Sequence, residues 1–564
     1  MICTTELDRE AYYVYFVLLI AVFMRKTTFF IILFLFFQAV KAQTVNFTSS
    51  NLPIIVINTN GQTIVDEPKV SADMGIIFNA GGARNNLSDI PNHYNGKVGI
   101  EIRGQSSQMF PMKAYTIELW DAAGAAQDKS LFGLPKESDW VLYAPFTDKT
   151  LMRNFLAYTM SREMGHWAAN CRFVELMLNG DYKGVYVFME KIKRGSGRVP
   201  IAKMANTDIS GDALTGGYIF SLDKEPNGWF SSYVAPNSTN NNKRQFSYVY
   251  PKPENIVSEQ QNYLKNYVDD FENALAGPNF QDPVNGVRKY ANIGSFIDYF
   301  IVNEVSRNVD GYRLSSYFHK DRDSKDGHIF AGPVWDYDLA FRNANYCNGS
   351  DLSGWAYQFN LSCPGDGAGL IPFWWNRFMQ DTAFAGNLYC RWKDLRKTNL
   401  SQEHMEHLVD SVVNLLSEAQ VRHFTRWPIL GQYVWPNPEP IAKSYSEEIA
   451  YLKAWMAARM NWIDKNLPNT GACYDIPVSN ADLTISIAPN PITSNGIVTI
   501  VSRNVQVLKF QIVDMLGRQL RSGTISLNIG LNRMPLDATN WAHGLYAIQF
   551  TTGRGDKITR RIVR

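Results

Sequence analysis

Two stretches of the chain set carboxylates where packing does not call for them. In NEVSRNVDGYRLSSYFHKD (303–321), Asp310 lies past a helical pattern and before a strand pattern. In GPVWDYDLAF (332–341), an apolar strand pattern ends in Asp336 and Asp338. Two carboxylates at i and i+2 behind a buried strand must face a cation, a cap or water, because an unpaired buried charge is costly. An Asp loop, a hairpin and a second acidic strand end is also the order that phosphoryl transfer uses. One Asp orients or deprotonates the acceptor hydroxyl, and a later one holds Mg2+ across the phosphates. The competing reading has Asp310 capping a turn with Gly311, and Asp336 and Asp338 binding Arg or Ca2+. A third stretch, IRGQSSQMFPMKAYTIEL (102–119), places Arg103, Gly104, Ser106 and Ser107 in a small-residue turn, with Lys113 opening the next strand. Free backbone N–H groups in such a turn can wrap phosphates, and a strand-held Lys can reach them. A plain hairpin turn beside a surface Lys has the same pattern.

Two other clusters read as decoys. Asp321, Asp323 and Asp326 in DRDSKDG (321–327) lack the EF-hand spacing and its closing Glu, and read as a solvated hairpin tip. His404 and His407 are three apart, with Met405 where a zinc protease needs Glu, and read as surface residues.

The elements that must position these residues fall into three regions. Residues 44 to about 125 read as strands (LPIIVINT, KVGIEIRG, AYTIELWD) between Asn/Gly-rich turns. The region up to about 470 is mixed. Arg153 to Met164 has helical periodicity, and Phe173 to Lys191 reads as a hairpin across Asn179-Gly180-Asp181. Glu259 to Ala276 and Ile293 to Arg307 read as helices, and Ser315 to His319 and His328 to Val334 as strands. Past Ser350 the pattern is helical and Trp-rich, with the longest helix from Ser446 to Leu467. From about Asn480 the chain alternates with turns every 8–12 residues, the pattern of a small β-sandwich. The expected fold class is therefore α+β, with a β-rich N-terminal part, a helical C-terminal part and a terminal β-sandwich. The boundary falls near Ser479-Asn480, giving regions 44–475 and 480–564.

The first 42 residues read as a leader. From Met24 the chain runs Arg25-Lys26, an apolar stretch Phe29 to Phe37, then Val40 and Ala42 as small residues before a cut at Gln43. That reads as a secretory signal with Met24 as the true start; the competing reading pairs it with the preceding apolar run, Tyr12 to Phe23, as a hairpin anchor. No later apolar run approaches the ~20 residues of a spanning helix. The composition fits an exported globular protein. Of the 564 residues 45% are hydrophobic and 19% charged, which excludes a disordered chain, a coiled coil or a collagen-like rod. A net charge of +2 leaves no basic field for nucleic acid. Cys347 and Cys363 flank a Gly/Ser/Asn-rich loop and are the expected disulfide.

Five ordered motifs then carry a resemblance: RGQSSQMFPMKAY, GLPKESDWVLYAPFTDKTLMRN, ELMLNGDYKGVYVFMEKIKR, NEVSRNVDGY and GPVWDYDLAF. Together they look like the CotH kinase family, the spore-coat-type atypical protein kinases, over roughly residues 50–465. The resemblance implies a divergent protein-kinase-like domain that uses ATP and Mg2+ or Mn2+ to phosphorylate Ser/Thr of protein substrates. It implies Asp310 as the catalytic aspartate and Asp336 as a metal ligand with Asp338 nearby. It implies Lys113 as the phosphate-contacting lysine, alongside Arg103, Gly104, Ser106 and Ser107, and Glu190 near the adenine-side hinge. Arg153 or Glu163 is implied as an orienting residue. The sequence departs from the family about five residues past the catalytic Asp. Ser315 and Ser316 stand where an Asn serves the second metal, and a hydroxyl ligates Mg2+ less well than an amide oxygen. That departure sustains an alternative, a non-catalytic surface module such as an adhesin or glycan-binding protein, with Trp355, Trp374, Trp375 and Trp392 as its platform. The tail motifs APNP (488–491), VDMLGR (513–518), GLYAIQF (544–550) and the terminal KITRRIVR resemble the C-terminal sorting domain of the type IX secretion system of Bacteroidota. They imply export through the periplasm to the cell surface or medium, with the secretion machinery as partner.

Overall fold

A computed structural model of the chain describes residues 45–224, 227–363, 369–468, 483–488, 490–502, 506–514, 518–528, 530–552 and 557–564. The leader and the Ser479-Asn480 linker lie outside the described residues.

Apolar and β-branched residues at alternating positions fold the N-terminal part into a closed barrel. Its strands are β1 (Ile54–Asn58), β2 (Val70–Ile77), β3 (Tyr94–Arg103), β4 (Ala114–Trp120), β5 (Asp139–Tyr143), β6 (Cys171–Leu178) and β7 (Asp181–Glu190). The order is β1-β2-β3-β4-β5-β7-β6, closed by a parallel β1–β6 pair, and every other pair is antiparallel. Closure removes exposed strand edges. The β6–β7 hairpin turns through Asn179 and Gly180, both at positive φ, as the Asn-Gly signal demands. Strands β2 and β5 were not read from the sequence. Between β5 and β6 runs helix α1 (Arg153–Glu163).

A second, five-stranded antiparallel sheet follows. Its strands are β8 (Tyr218–Leu222), β9 (Phe230–Val234), β10 (Lys243–Tyr250), β11 (Ser316–Lys320) and β12 (Ile329–Ala331), in the order β9-β10-β8-β11-β12. Helices α2 (Ser258–Ala276), α3 (Ile293–Ser306), α4 (Thr382–Leu395), α5 (Gln402–Leu415) and α7 (Tyr445–Asn466) complete this part of the chain, while α6 (Ala419–Arg426) packs on barrel strand β7. All 14 residues of α3 are buried, and its charged members Asp298 and Glu304 are paired with Arg391 and Arg459. One apolar core runs from the barrel strands through α3 to α7.

The tail forms two antiparallel sheets. One joins β13 (Leu483–Ala488), β14 (Asn495–Ser502) and β17 (Gly530–Asp537). The other orders β16 (Gln519–Leu527), β15 (Gln506–Asp514), β18 (Leu545–Thr551) and β19 (Lys557–Val563). Their apolar faces share a core of their own.

Two readings of the aromatic and cysteine residues resolve here. Trp374, Trp375 and Trp392 are at most 1% exposed, and Trp355 packs edge-on against Trp462 beside the main core. The expected aromatic platform is core instead: Trp375 packs on Phe296, Tyr299 and Phe300 of α3, and Trp374 on Phe246, Phe271 and Phe318. Cys347 and Cys363 are paired as expected. Cys390 is also disulfide-bonded, and Cys171 is a buried free thiol.

Candidate active-site cleft

Between the barrel and the five-stranded sheet lies a cleft of about 800 Å3. It gathers Arg103, Gly104, Ser106 and Ser107 from the β3–β4 turn, Asp310 and Ser315 from the loop after α3, and Asp336 and Asp338 from the loop after β12. Residues more than 200 positions apart thus share one hollow.

Helix α3 holds both acidic loops. It is capped by Arg307 in a left-handed conformation (φ 48), which turns the chain out of the helix three residues before Asp310. Glu304 of α3 accepts the Tyr312 hydroxyl at 3.0 Å, and Asn303 accepts the Tyr337 hydroxyl at 3.0 Å. Gly311 packs so closely that a Cβ there would lie 2.3 Å from Asn303 Oδ1. Asn308 couples the two loops. Its Oδ1 accepts the Asp310 N–H at 3.2 Å, and its Nδ2 donates to the Asp336 carbonyl at 3.1 Å. Helix α1 holds the second loop from the other side. Asp336 N–H donates to the Tyr158 hydroxyl (3.1 Å) and Tyr337 N–H to Asn154 Oδ1 (2.6 Å). Asp336 has φ 63 and Ser315 φ 46, so both carry left-handed backbone that the surrounding contacts enforce.

On the barrel side the turn after β3 depends on Gly104. Its φ is 97, and a Cβ would meet Ser107 Oγ at 2.0 Å. The Arg103 guanidinium lies 5.6 Å over the Trp335 ring, which stacks on Tyr158, and its Nη1 is buried without a hydrogen-bond partner.

The electrostatics of the cleft are lopsided. Burial raises the proton affinity of Asp310, with Arg313 and Lys224 opposing and Asp223 adding to the rise. Asp336 is raised by burial and then by the charge of Asp310, against Arg103. Asp338 is raised furthest, by burial and then by the charges of Asp336 and Asp310. Three carboxyls thus crowd together with too little positive charge beside them, the situation that a bound cation relieves. The donor set is all oxygen, which suits a hard divalent ion. Among the described residues no group of three or more His, Cys, Asp or Glu side chains is placed to hold a metal ion by itself. An ion here would draw its remaining ligands from water and substrate phosphates, as Mg2+ sites commonly do.

Two of the expected nucleotide residues are not among the cleft-lining side chains. Met112 and Ala114 line the cleft, but the Lys113 amine between them turns to the Gln108 carbonyl. Met189 and Lys191 line it, but Glu190 between them is fully buried and accepts from Asn170 N–H and Nδ2 at 2.9 and 2.8 Å. In extended chain, successive side chains face opposite ways, so the neighbours of a lining residue point elsewhere. The expected orienting residues also point away. Arg153 is paired with Asp148 and Glu448, and Glu163 with His404. Ser316 is buried, and its Oγ donates to the Leu314 carbonyl, which leaves Ser315 as the cleft-facing hydroxyl.

The sequence reading missed Asn154, Tyr158, Lys191, Asp223, Asn308 and Arg313. Asn308 alone carried a signal, as an Asn two residues before an Asp in a turn, where Asn commonly caps local N–H groups. Lys191 lies in the cleft wall with its proton affinity lowered by burial, the mark of an ammonium short of counter-charge.

Comparison with known families matches residues 100–463 to the model described as CotH kinase protein and residues 486–564 to the model described as secretion system C-terminal sorting domain. No curated protein matches the chain. Every cleft residue discussed from Arg103 to Asp338 falls within the first match.

Proposed function

The chain belongs to the CotH kinase protein family, and we propose that it moves the γ-phosphoryl group of ATP to Ser or Thr hydroxyls of a protein acceptor. The sorting tail marks it as a secreted or cell-surface protein, and among the described residues no helix is long and apolar enough to cross a membrane. The observation that carries the reading is the convergence of Asp310, Asp336, Asp338 and the Arg103–Ser107 turn on one cleft. Its volume of about 800 Å3 suits a nucleotide with its phosphates.

In this reading a protein-kinase-like site is built across the two lobes. Arg103, Lys191 and the turn N–H groups bind phosphate oxygens. Asp336, Asp338 and Ser315 hold Mg2+ or Mn2+, which supplies charge neutralisation at the phosphates. Asp310 accepts the acceptor hydroxyl proton as the new O–P bond forms and the bond to the bridging β–γ oxygen breaks, releasing ADP. Positioning and electrostatics provide the rate. Arg313, 3.9 Å from Asp310 Oδ1, favours the ionised form this role needs. The test is phosphate incorporation into a Ser-rich peptide with ATP and Mg2+ or Mn2+. Asp310→Asn is expected to abolish the mass shift, and transfer that survives the substitution overturns the assignment.

Ser315 favours a second reading. With a hydroxyl in place of an amide at the second metal position, the cleft binds nucleotide without transferring phosphate, and the protein serves as a non-catalytic surface module. Nucleotide binding with no transfer to any hydroxyl acceptor supports that reading.

A further inference from the structure

One side chain joins the Asp310 loop to a disulfide. Arg313 is 5% exposed. Its Nη2 stands 3.9 Å from Asp310 Oδ1 and 3.8 Å from Cys347 Sγ. Its Nη1 donates to the Gly369 carbonyl at 3.1 Å. Its own carbonyl accepts from Arg244 of β10, which is 1% exposed. Cys347 is bonded to Cys363, closing a sequence separation of 16 residues, and Ser362 Oγ donates to the Cys347 carbonyl at 3.3 Å. The Asp310 loop, strand β10 and the disulfide-closed segment therefore meet on Arg313. A planar guanidinium presents its donors in a fixed fork, so its orientation follows from the groups that surround it.

We propose that Arg313 is a positioning residue for Asp310, and that the Cys347–Cys363 disulfide sets the place of Arg313, so that the acceptor side of the cleft is assembled only when this disulfide is closed. The inference rests on the role given to Asp310 above. Its consequence is asymmetric. The nucleotide side of the cleft, with Arg103, Gly104, Ser106, Ser107 and Lys191, is built on barrel strands and their turns, remote in sequence from the disulfide loop. Opening the disulfide releases Arg313 and slackens the Asp310 loop while the nucleotide wall stays in place. Transfer then falls and nucleotide binding persists. A disulfide that merely stabilised the whole domain would weaken both together.

The experiment uses the full chain as native protein, as Cys347→Ser/Cys363→Ser, as Arg313→Met and as Arg313→Lys. Hydrogen exchange is followed in peptides covering 307–317 and 100–116, and ATP-dependent transfer is measured onto a synthetic Ser-rich peptide. Loss of the disulfide is expected to speed exchange in 307–317 at least about tenfold and to leave 100–116 within about twofold. It is expected to lower kcat about 10- to 100-fold, the scale of a 1 Å misplacement, with KM for ATP within about twofold. Arg313→Met is expected to repeat the kcat loss, and Arg313→Lys to recover part of it. Unchanged exchange in 307–317, or a KM for ATP that rises in step with the loss of kcat, overturns the proposal. If native protein transfers no phosphate, the kinase reading fails, and the exchange comparison still decides whether the disulfide holds the loop.

Discussion

At Asp336 and Asp338 burial raises the proton affinity of both carboxyls, and the charge of Asp310 raises it further, joined at Asp338 by that of Asp336. Protonation or a bound cation relieves such crowding. The barrel wall contributes the opposite charge at Arg103 and Lys191. Arg103→Met is expected to weaken ATP binding about tenfold or more, the size of one charge-assisted phosphate contact. Lys113→Met is expected to leave it within about twofold, because that amine is already engaged by the Gln108 carbonyl. Titration calorimetry of ATP in the presence of Mg2+ separates the two. A loss on Lys113→Met matching that on Arg103→Met would return the phosphate contact to Lys113.

Two buried titratable groups hold helices to the sheets and set a pH window for the folded state. Glu272 of α2 is fully buried and accepts from the Ser231 hydroxyl and from Trp374 Nε1–H. Burial pushes it from 4.5 up to about 7. Because its folded value is raised, the stability it contributes is complete below 4.5 and is lost as pH rises toward 7, a loss of about 3 kcal/mol. His423 of α6 accepts the Val185 N–H of β7 at 3.2 Å, and burial pushes it from 6.5 down to about 3. Its sign is the reverse. Stability is present above 6.5 and drains away as pH falls toward 3, by up to about 5 kcal/mol. Between 4.5 and 6.5 the two slopes oppose. In urea unfolding from pH 4 to 8, Glu272→Gln is therefore expected to steepen the loss of stability on acidification, and His423→Asn to leave a stability that falls as pH rises. Unfolding curves of both variants parallel to native protein across that range would remove these groups from the account.

Among the described residues the largest core is shared by the barrel and helices, a small one around Phe47 and Tyr182 sits on the barrel, and another belongs to the tail sheets, with no residue in common with the rest. The barrel-and-helix part and the tail have separate work, since the cleft lies in the former and the sorting match covers the latter. ATP with Mg2+ is therefore expected to stabilise only the unit built on the larger core. At a nucleotide concentration 100 times Kd the gain is about 2.7 kcal/mol. Differential scanning calorimetry is expected to show one transition that moves with ATP and Mg2+ and another that stays. A shift of both by the same amount would mean that the tail and the catalytic region unfold together.

The amino-acid sequence by itself marked many of the elements and the candidate residues they carry, though not strands β8, β9 and β10. Alternation marked the β6–β7 hairpin and the tail strands, 3.6-residue periodicity marked α1, α2, α3 and α7, and misplaced carboxylates marked Asp310, Asp336 and Asp338. These are local signals, written in spacing and residue type. Strands β2 and β5 escaped because one carries polar and Gly interruptions (VSADMGII) and the other is five residues long (DWVLY). What the tertiary structure decided is which side of each element faces the cleft. The pleat turns Lys191 toward the hollow and Glu190 into the wall, α3 brings Asn308 between two loops that are distant in sequence, and the Trp-rich segment folds inward onto α3. Facing depends on the register and packing of partners elsewhere in the chain, and no local pattern encodes it.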